Sequence, residues 1–135
     1  MRYLGIDYGK KRIGLALSDE EGKIAFPHRT IEQKNSQTSI TEIRSVIGKQ
    51  HVSFVVVGLP LDLDGKETSL SAAARKFAER LGSAGDVRLL FENEIFTTRM
   101  AKQTTAKKES IDAIAAAIIL QSYLDKKIQG PQGKN

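Results

Sequence analysis

Leu4-Gly5-Ile6-Asp7-Tyr8-Gly9-Lys10-Lys11-Arg12-Ile13-Gly14-Leu15-Ala16-Leu17-Ser18-Asp19 is the stretch on which the architecture of this chain turns. Tyr3 to Asp7 alternates as a strand. It places Leu4 and Ile6 on one face and Tyr3, Gly5 and Asp7 on the other. A polar turn through Gly9-Lys10-Lys11-Arg12 leads into Ile13 to Ser18, which also alternates with period two. Its large residues Ile13, Leu15 and Leu17 share one face, and Gly14, Ala16 and Ser18 share the other. If the two small faces coincide, Asp7 stands beside a shallow surface that a substrate backbone can approach. Taken alone, a strand-end aspartate is better explained as a turn former that bonds its own backbone.

Working outward, Asp19-Glu20-Glu21-Gly22 reads as a hairpin turn, followed by an extended run from Lys23 to Ile31. Pro27 within that run points to an edge strand or a bulge, because proline cannot donate to a ladder. Ser39 and Glu42 have capping-box spacing for a helix with the stripe Ile40, Ile43 and Ile47, stopped by Gly48. Val52 to Val57 reads as a strand buried on both faces and ended by Gly58-Leu59-Pro60. A polar loop from Leu61 to Thr68 precedes a second helix striped by Leu70, Ala73, Ala74, Phe77, Ala78 and Leu81 and ended by Gly82. Val87, Leu89 and Phe91 mark a fifth strand running into Glu92-Asn93-Glu94. A short helical segment near Thr97, a basic loop from Lys102 to Lys108, and a last helix from about Ile111 to Lys126 complete the series. The order β-β-β-α-β-α-β-α predicts an α/β fold with a five-stranded mixed sheet flanked by helices. Residues 1–128 are expected to form one domain, with 129–135 a flexible tail.

Composition narrows the chemistry. The 135 residues contain no cysteine, which excludes disulfides, zinc-thiolate sites and a cysteine nucleophile. Two histidines, His28 and His51, lack metal-ligand spacing. No apolar run reaches the ~18 residues that a membrane span requires, and no signal-peptide stretch opens the chain; a cytoplasmic location is the expectation. A net charge of +5 favours a polyanionic partner.

Two further acids stand out beside Asp7. Asp112 lies in Ser110-Ile111-Asp112-Ala113-Ile114-Ala115-Ala116-Ala117-Ile118-Ile119-Leu120, a helix apolar on nearly every side. A first-turn position would favour an acid through the helix dipole. Yet Asp112 shares a side with Ala115, Ala116 and Ile119, so it needs a hydrogen bond, a cation or a metal. Glu94 follows the fifth strand, two residues after Glu92; either acid alone is an ordinary solvated loop residue. A set of carboxylates without His or Cys is what Mg²⁺ prefers. Two-metal phosphodiester cleavage uses such a set, with ions ~4 Å apart.

Leu4 to Asp19, Val56-Val57-Gly58-Leu59-Pro60-Leu61 with Asp64-Gly65, and Asp112 to Gln121 resemble three sequence blocks of the YqgF (RuvX-like) family. That family is associated with both Holliday junction resolution and pre-16S rRNA processing. The resemblance implies an RNase H-like fold and a metal-binding triad at Asp7, Glu94 and Asp112. These residues would hold Mg²⁺ or Mn²⁺, two ions in all, as the catalytic centre. One block departs from the family pattern Asp-Glu-Arg-Leu-Thr-Thr: here Asn93-Glu94-Ile95-Phe96-Thr97-Thr98 keeps the glutamate but lacks the preceding acid and the arginine. Arg99, one helical turn on, is a candidate to replace that arginine. In such a sheet the first and fourth strands are neighbours. Lys10, Lys11 and Arg12 would then lie where phosphates pass, with Lys107 and Lys108 flanking Asp112. Solvated loop lysines are the simpler account of each of these cations taken singly.

The resulting expectation is a nuclease acting on structured nucleic acid, with precursor rRNA and four-way DNA junctions as rival substrates. A minimal domain without appended DNA-binding parts leans towards 5′-end processing of pre-16S rRNA in ribosome biogenesis. A non-catalytic nucleic-acid-binding module on the same fold is the alternative that Asn93 and Ile95 keep alive. An actin- or sugar-kinase-like phosphotransferase, which also uses an Asp-x-Gly turn, needs a second domain for which 135 residues leave no room. Monomer and homodimer both remain open, and no membrane partner is expected.

Overall fold

The computed structural model describes residues 1–83, 87–94 and 108–134, with side chains in the last range for residues 111–128. Strands β1 (Arg2–Asp7), β2 (Arg12–Ser18) and β3 (Ala25–Glu32) form a meander. Helix α1 (Ser36–Lys49), strand β4 (Val52–Pro60), helix α2 (Ser69–Gly82), strand β5 (Arg88–Glu94) and helix α3 (Lys108–Lys134) follow. The sheet order is β3-β2-β1-β4-β5. β1 runs antiparallel to β2, and β2 to β3, whereas β1–β4 and β4–β5 are parallel. The predicted mixed sheet is therefore present, with β1 beside β4. The segment near Thr97 and the loop from Lys102 to Lys107 lie outside the described residues.

Pro27 meets both expectations: β3 is an edge strand, and its register with β2 shifts between Leu15↔Arg29 and Ala16↔Pro27. The preceding hairpin turn has Gly22 at φ +71°, and Asp19 Oδ1 accepts from the amides of Lys23 and Ile24. Those amides, Ile24 first, hold the Asp19 carboxyl below its ordinary range.

Several element ends differ from expectation. The cap of α1 is Asn35, whose Oδ1 accepts from Thr38 N at 2.8 Å, and Ser39 is buried inside the helix. Asparagine in extended conformation satisfies an orphan helix amide one turn earlier than the proposed Ser39–Glu42 box. Gly48 does not stop the helix, which runs to Lys49; the left-handed residue after it is His51, at φ 55°. β4 continues through Gly58-Leu59-Pro60 because β5 pairs with it as far as Pro60↔Glu94. α3 also extends beyond Ile111–Lys126 at both ends, to Lys108 and Lys134.

Two cores lie on opposite sides of the sheet. Leu4, Ile6, Ile13, Leu15, Val55 and Val57 pack against Ile40, Ile43 and Val46 of α1 and Ala74, Phe77 and Leu81 of α2. On the other face Tyr3, Ala16 and Val56 pack against Ala116, Ile119, Leu120 and Leu124 of α3. This second face corrects the sequence reading. The small residues beside Asp7 do not form an open surface for substrate; they are covered by α3. A Cβ at Gly5 would stand 2.7 Å from Leu120 Cβ, and one at Gly14 only 1.9 Å from the Asp112 carbonyl oxygen. Glycine is required at both places so that helix and strand backbones can meet.

Gly14→Ala is accordingly expected to lower stability by at least ~2 kcal/mol, since the obstructing atom is backbone and cannot rotate away. Gly48→Ala, in a helix with nothing within 4 Å of the new methyl, should raise it by ~0.5–1 kcal/mol. Urea unfolding of the two variants beside the parent protein gives both signs.

Candidate active site: carboxylates beneath the last helix

Asp7 ends β1 on the α3 face, four residues after Tyr3 and two after Gly5. Its antiparallel partner on β2 is Gly14, the residue over which the Asp112 carbonyl lies. On the other side, Ile6 is level with Val57 of β4, so the next residues along are Asp7 and Gly58. Neighbouring strands are ~4.8 Å apart. Above Gly58 sits Glu94, whose Oε2 would be 3.2 Å from a Cβ added there. Thus Asp7 lies between two glycines, one covered by the backbone of Asp112 and the other by the Ile119 side chain with the Glu94 carboxylate beside it. Register and face bring the three acids to one end of the sheet.

All three are buried: Asp7 is 4% exposed, Glu94 4% and Asp112 9%. Each is delivered by an element whose local chemistry is clear. β1 is a short apolar strand with the acid at its end. Glu94 closes β5, where its carbonyl accepts from Leu61 N at 2.9 Å and ties the strand end to the chain leaving β4. Asp112 is in the second turn of α3, because the helix begins at Lys108 rather than near Ile111. It is therefore past the first turn, to which the dipole's benefit is largely confined.

What Asp112 has is a cation. Arg12 Nε donates to its Oδ2 at 2.7 Å, joining the start of β2 to α3 across 100 residues of sequence. Arg12, expected to face phosphate, is thus engaged with a carboxylate. Lys10 and Lys11 are exposed in the turn before it. That turn is held by Gln33, whose Nε2 donates to Gly9 O at 2.7 Å and whose amide donates to Lys11 O at 2.8 Å. Gly9 is needed for its tightness, since a Cβ there would meet Arg12 O at 2.5 Å. Arg99 and Lys107 lie outside the described residues, and of Lys108 only the backbone is described. Among the described residues, no three His, Cys, Asp or Glu side chains stand close enough to hold a metal ion as they are. The acids share one end of the sheet without forming a finished cage.

Glu92, read from the sequence as a solvated loop acid, is instead a buried residue of β5. It is 5% exposed on the same face of β5 as Glu94, accepting from Ser122 Oγ at 2.7 Å and Lys126 Nζ at 2.6 Å. Period-two spacing from Glu94 could have placed it there. Its partners, in the distal half of α3, became visible only with the packing. It fastens the helix to the far edge of the sheet.

The sequence profile of a family described as "RuvX: Holliday junction resolvase" matches residues 1–126. A protein of Anaplasma marginale named "Putative pre-16S rRNA nuclease" is 39% identical, over 92% of this chain and 84% of its own. One of the same name from an Anaeromyxobacter species is 38% identical, over 93% and 97%. Among solved structures, Thermus thermophilus RuvC in complex with a Holliday junction substrate superposes with a TM-score of 0.63 at 13% identity, covering 96% of both chains. The fowlpox virus Holliday junction resolvase gives 0.56 at 13% identity, covering 93% of this chain and 99% of that one. The fold is RNase H-like, as expected. No described helix is long and apolar enough to cross a membrane.

Glu92→Ala should cost ~1 kcal/mol in urea unfolding, because it removes a buried carboxylate that bonds Ser122 and the largely exposed Lys126 across the α3–β5 contact. Asn93→Ala, at the exposed neighbouring position, should change stability by no more than about 0.5 kcal/mol.

Proposed function

The chain belongs to the RuvX family, and on that premise we propose that it is a metal-dependent nuclease that processes the 5′ end of pre-16S rRNA. The observation that carries this reading is the gathering of three buried carboxylates, Asp7, Glu94 and Asp112, at one end of an RNase H-like sheet. Burial of acidic side chains costs stability unless something answers their charge. Carboxylates placed together at the ends of elements are a common signature of a site that receives cations.

The donor set suits a hard divalent ion, being all oxygen and free of His and Cys. Asp7, Glu94 and Asp112 would hold Mg²⁺ or Mn²⁺, in a two-ion site. When bound, the metal supplies an activated water and neutralises charge on the phosphate being cut. The remaining work falls to the protein. β1 and β5 fix two of the acids on a sheet that cannot flex much, and α3, seated on Gly5 and Gly14, fixes the third. Lys10 and Lys11 are exposed on the anchored turn beside Asp112's partner Arg12 and would guide the polyanionic backbone towards the acids. Lys107, Lys108 and Arg99 would extend that positive margin.

Precursor rRNA is preferred as substrate because the relatives at 38–39% identity carry that name over most of both chains. A second reading, cleavage of four-way DNA junctions, is favoured by the description attached to the family as a whole. Solved structures at 13% identity bear on the fold and do not separate the two.

The test compares cleavage of a pre-16S rRNA fragment and of a synthetic four-way DNA junction, each with Mg²⁺, Mn²⁺ or EDTA. Metal-dependent cut sites at the 5′ end of the rRNA fragment are expected. Asp7→Asn and Asp112→Asn should each lower the rate by about a thousandfold or more, several kcal/mol of barrier. Variants that cut as fast as the parent protein would remove the triad from the chemistry. Binding without cutting on either substrate would leave a non-catalytic module.

A further inference from the structure

We propose that Arg12 is a built-in counter-cation for Asp112, which an incoming divalent ion displaces and so frees for a substrate phosphate. The proposal rests on the reading of Asp7, Glu94 and Asp112 as metal ligands and adds a role for a residue which that reading leaves aside. Arg12 Nε donates to Asp112 Oδ2 at 2.7 Å, so the guanidinium engages the carboxylate that the metal needs. The two partners are unequally exposed: the side chain of Asp112 is 12% accessible and that of Arg12 37%. The acid is held in place by the packing of α3, while the cation stands at the margin and has somewhere to go.

Charge decides when it leaves. A buried carboxylate stripped of its partner is strongly disfavoured, so Arg12 stays until another cation takes over. A divalent ion brings twice the charge of the guanidinium and can be shared among several acids. Arginine cannot escape by losing its proton, so the exchange is between cations rather than between protonation states. Among the described residues no three acidic side chains stand close enough to hold a metal as they are, and Asp112 is paired with Arg12.

Displacement need not disturb the backbone. The Gly9–Arg12 turn is fixed by Gln33 and by the close approach of Gly9 to Arg12 O, leaving the side chain as the moving part. Beside it are the exposed Lys10 and Lys11. A guanidinium released there presents the planar fork that matches phosphate oxygens. Metal loading would thereby switch on a phosphate contact, linking substrate grip to cofactor occupancy.

The experiment titrates Mn²⁺ into the full chain and follows the free-ion signal by electron paramagnetic resonance, with melting temperatures taken with and without the ion. The proteins are the parent, Arg12→Gln, Arg12→Lys, Asp112→Asn and the double variant Arg12→Gln/Asp112→Asn. Removing the competing charge should tighten Mn²⁺ binding by about fivefold or more in Arg12→Gln, a typical size for coupling between two sites. The same variant should melt lower without the ion and gain more from it. Arg12→Lys, which keeps the charge, should stay near the parent. On the Asp112→Asn background Arg12→Gln should change nothing further. Equal or weaker Mn²⁺ binding by Arg12→Gln overturns the proposal while leaving the ligand reading standing. Failure of both parent and Arg12→Gln to bind Mn²⁺ overturns the ligand reading and this proposal with it.

Discussion

The contact between the backbone of α3 and the glycines of β1 and β2 is the constraint on which the rest of the molecule depends. Gly5 admits Leu120 and the Ala116 carbonyl, and Gly14 admits the Asp112 carbonyl, at distances no side chain would tolerate. Close approach of this kind maximises dispersion contacts along the helix, which buries mostly alanine and leucine on its inner side. It also sets the height of the helix above the sheet. Since Asp7 is the strand partner of Gly14, the same contact sets how near Asp112 comes to Asp7.

A second consequence concerns charge. The α1–α2 side of the sheet is built from Leu, Ile, Val, Ala and Phe, and among the described residues no buried acid lies in that core. On the α3 side, Asp7, Glu92, Glu94 and Asp112 are all buried. Arg12 pairs with Asp112 and Lys126 with Glu92, and each pair ties α3 to a different strand. The proposed nuclease site and a helix-docking surface are therefore superimposed. The polar groups that orient the helix along the sheet are also those that set the electrostatics at its end.

Much of this was legible from residues. Period-two alternation in Tyr3–Asp7 and Ile13–Ser18 gave correct faces, since strand geometry sends successive side chains to opposite sides. Pro27 as an edge and bulge residue followed from its missing amide. Element ends were less legible. Asn35 and Ser39 are both acceptable caps in sequence, and only the backbone conformation at Asn35 selects between them. The Gly58-Leu59-Pro60 stretch reads as a terminator but remains strand because β5 lies alongside it.

The candidate site divides along the same line. Sequence by itself determined the fold class, the faces of the strands and the identity of Asp7, Glu94 and Asp112 as acids in apolar or strand-end settings. These depend on short-range periodicity and on chemistry carried by each residue. Tertiary structure alone decided that the small-residue face is a helix seat rather than a substrate surface, that Glu92 is buried, and that Arg12 belongs to Asp112. Those facts depend on which segments meet across 30 to more than 100 residues of chain. Contacts of that span follow from how whole elements pack, and local pattern carries no record of them.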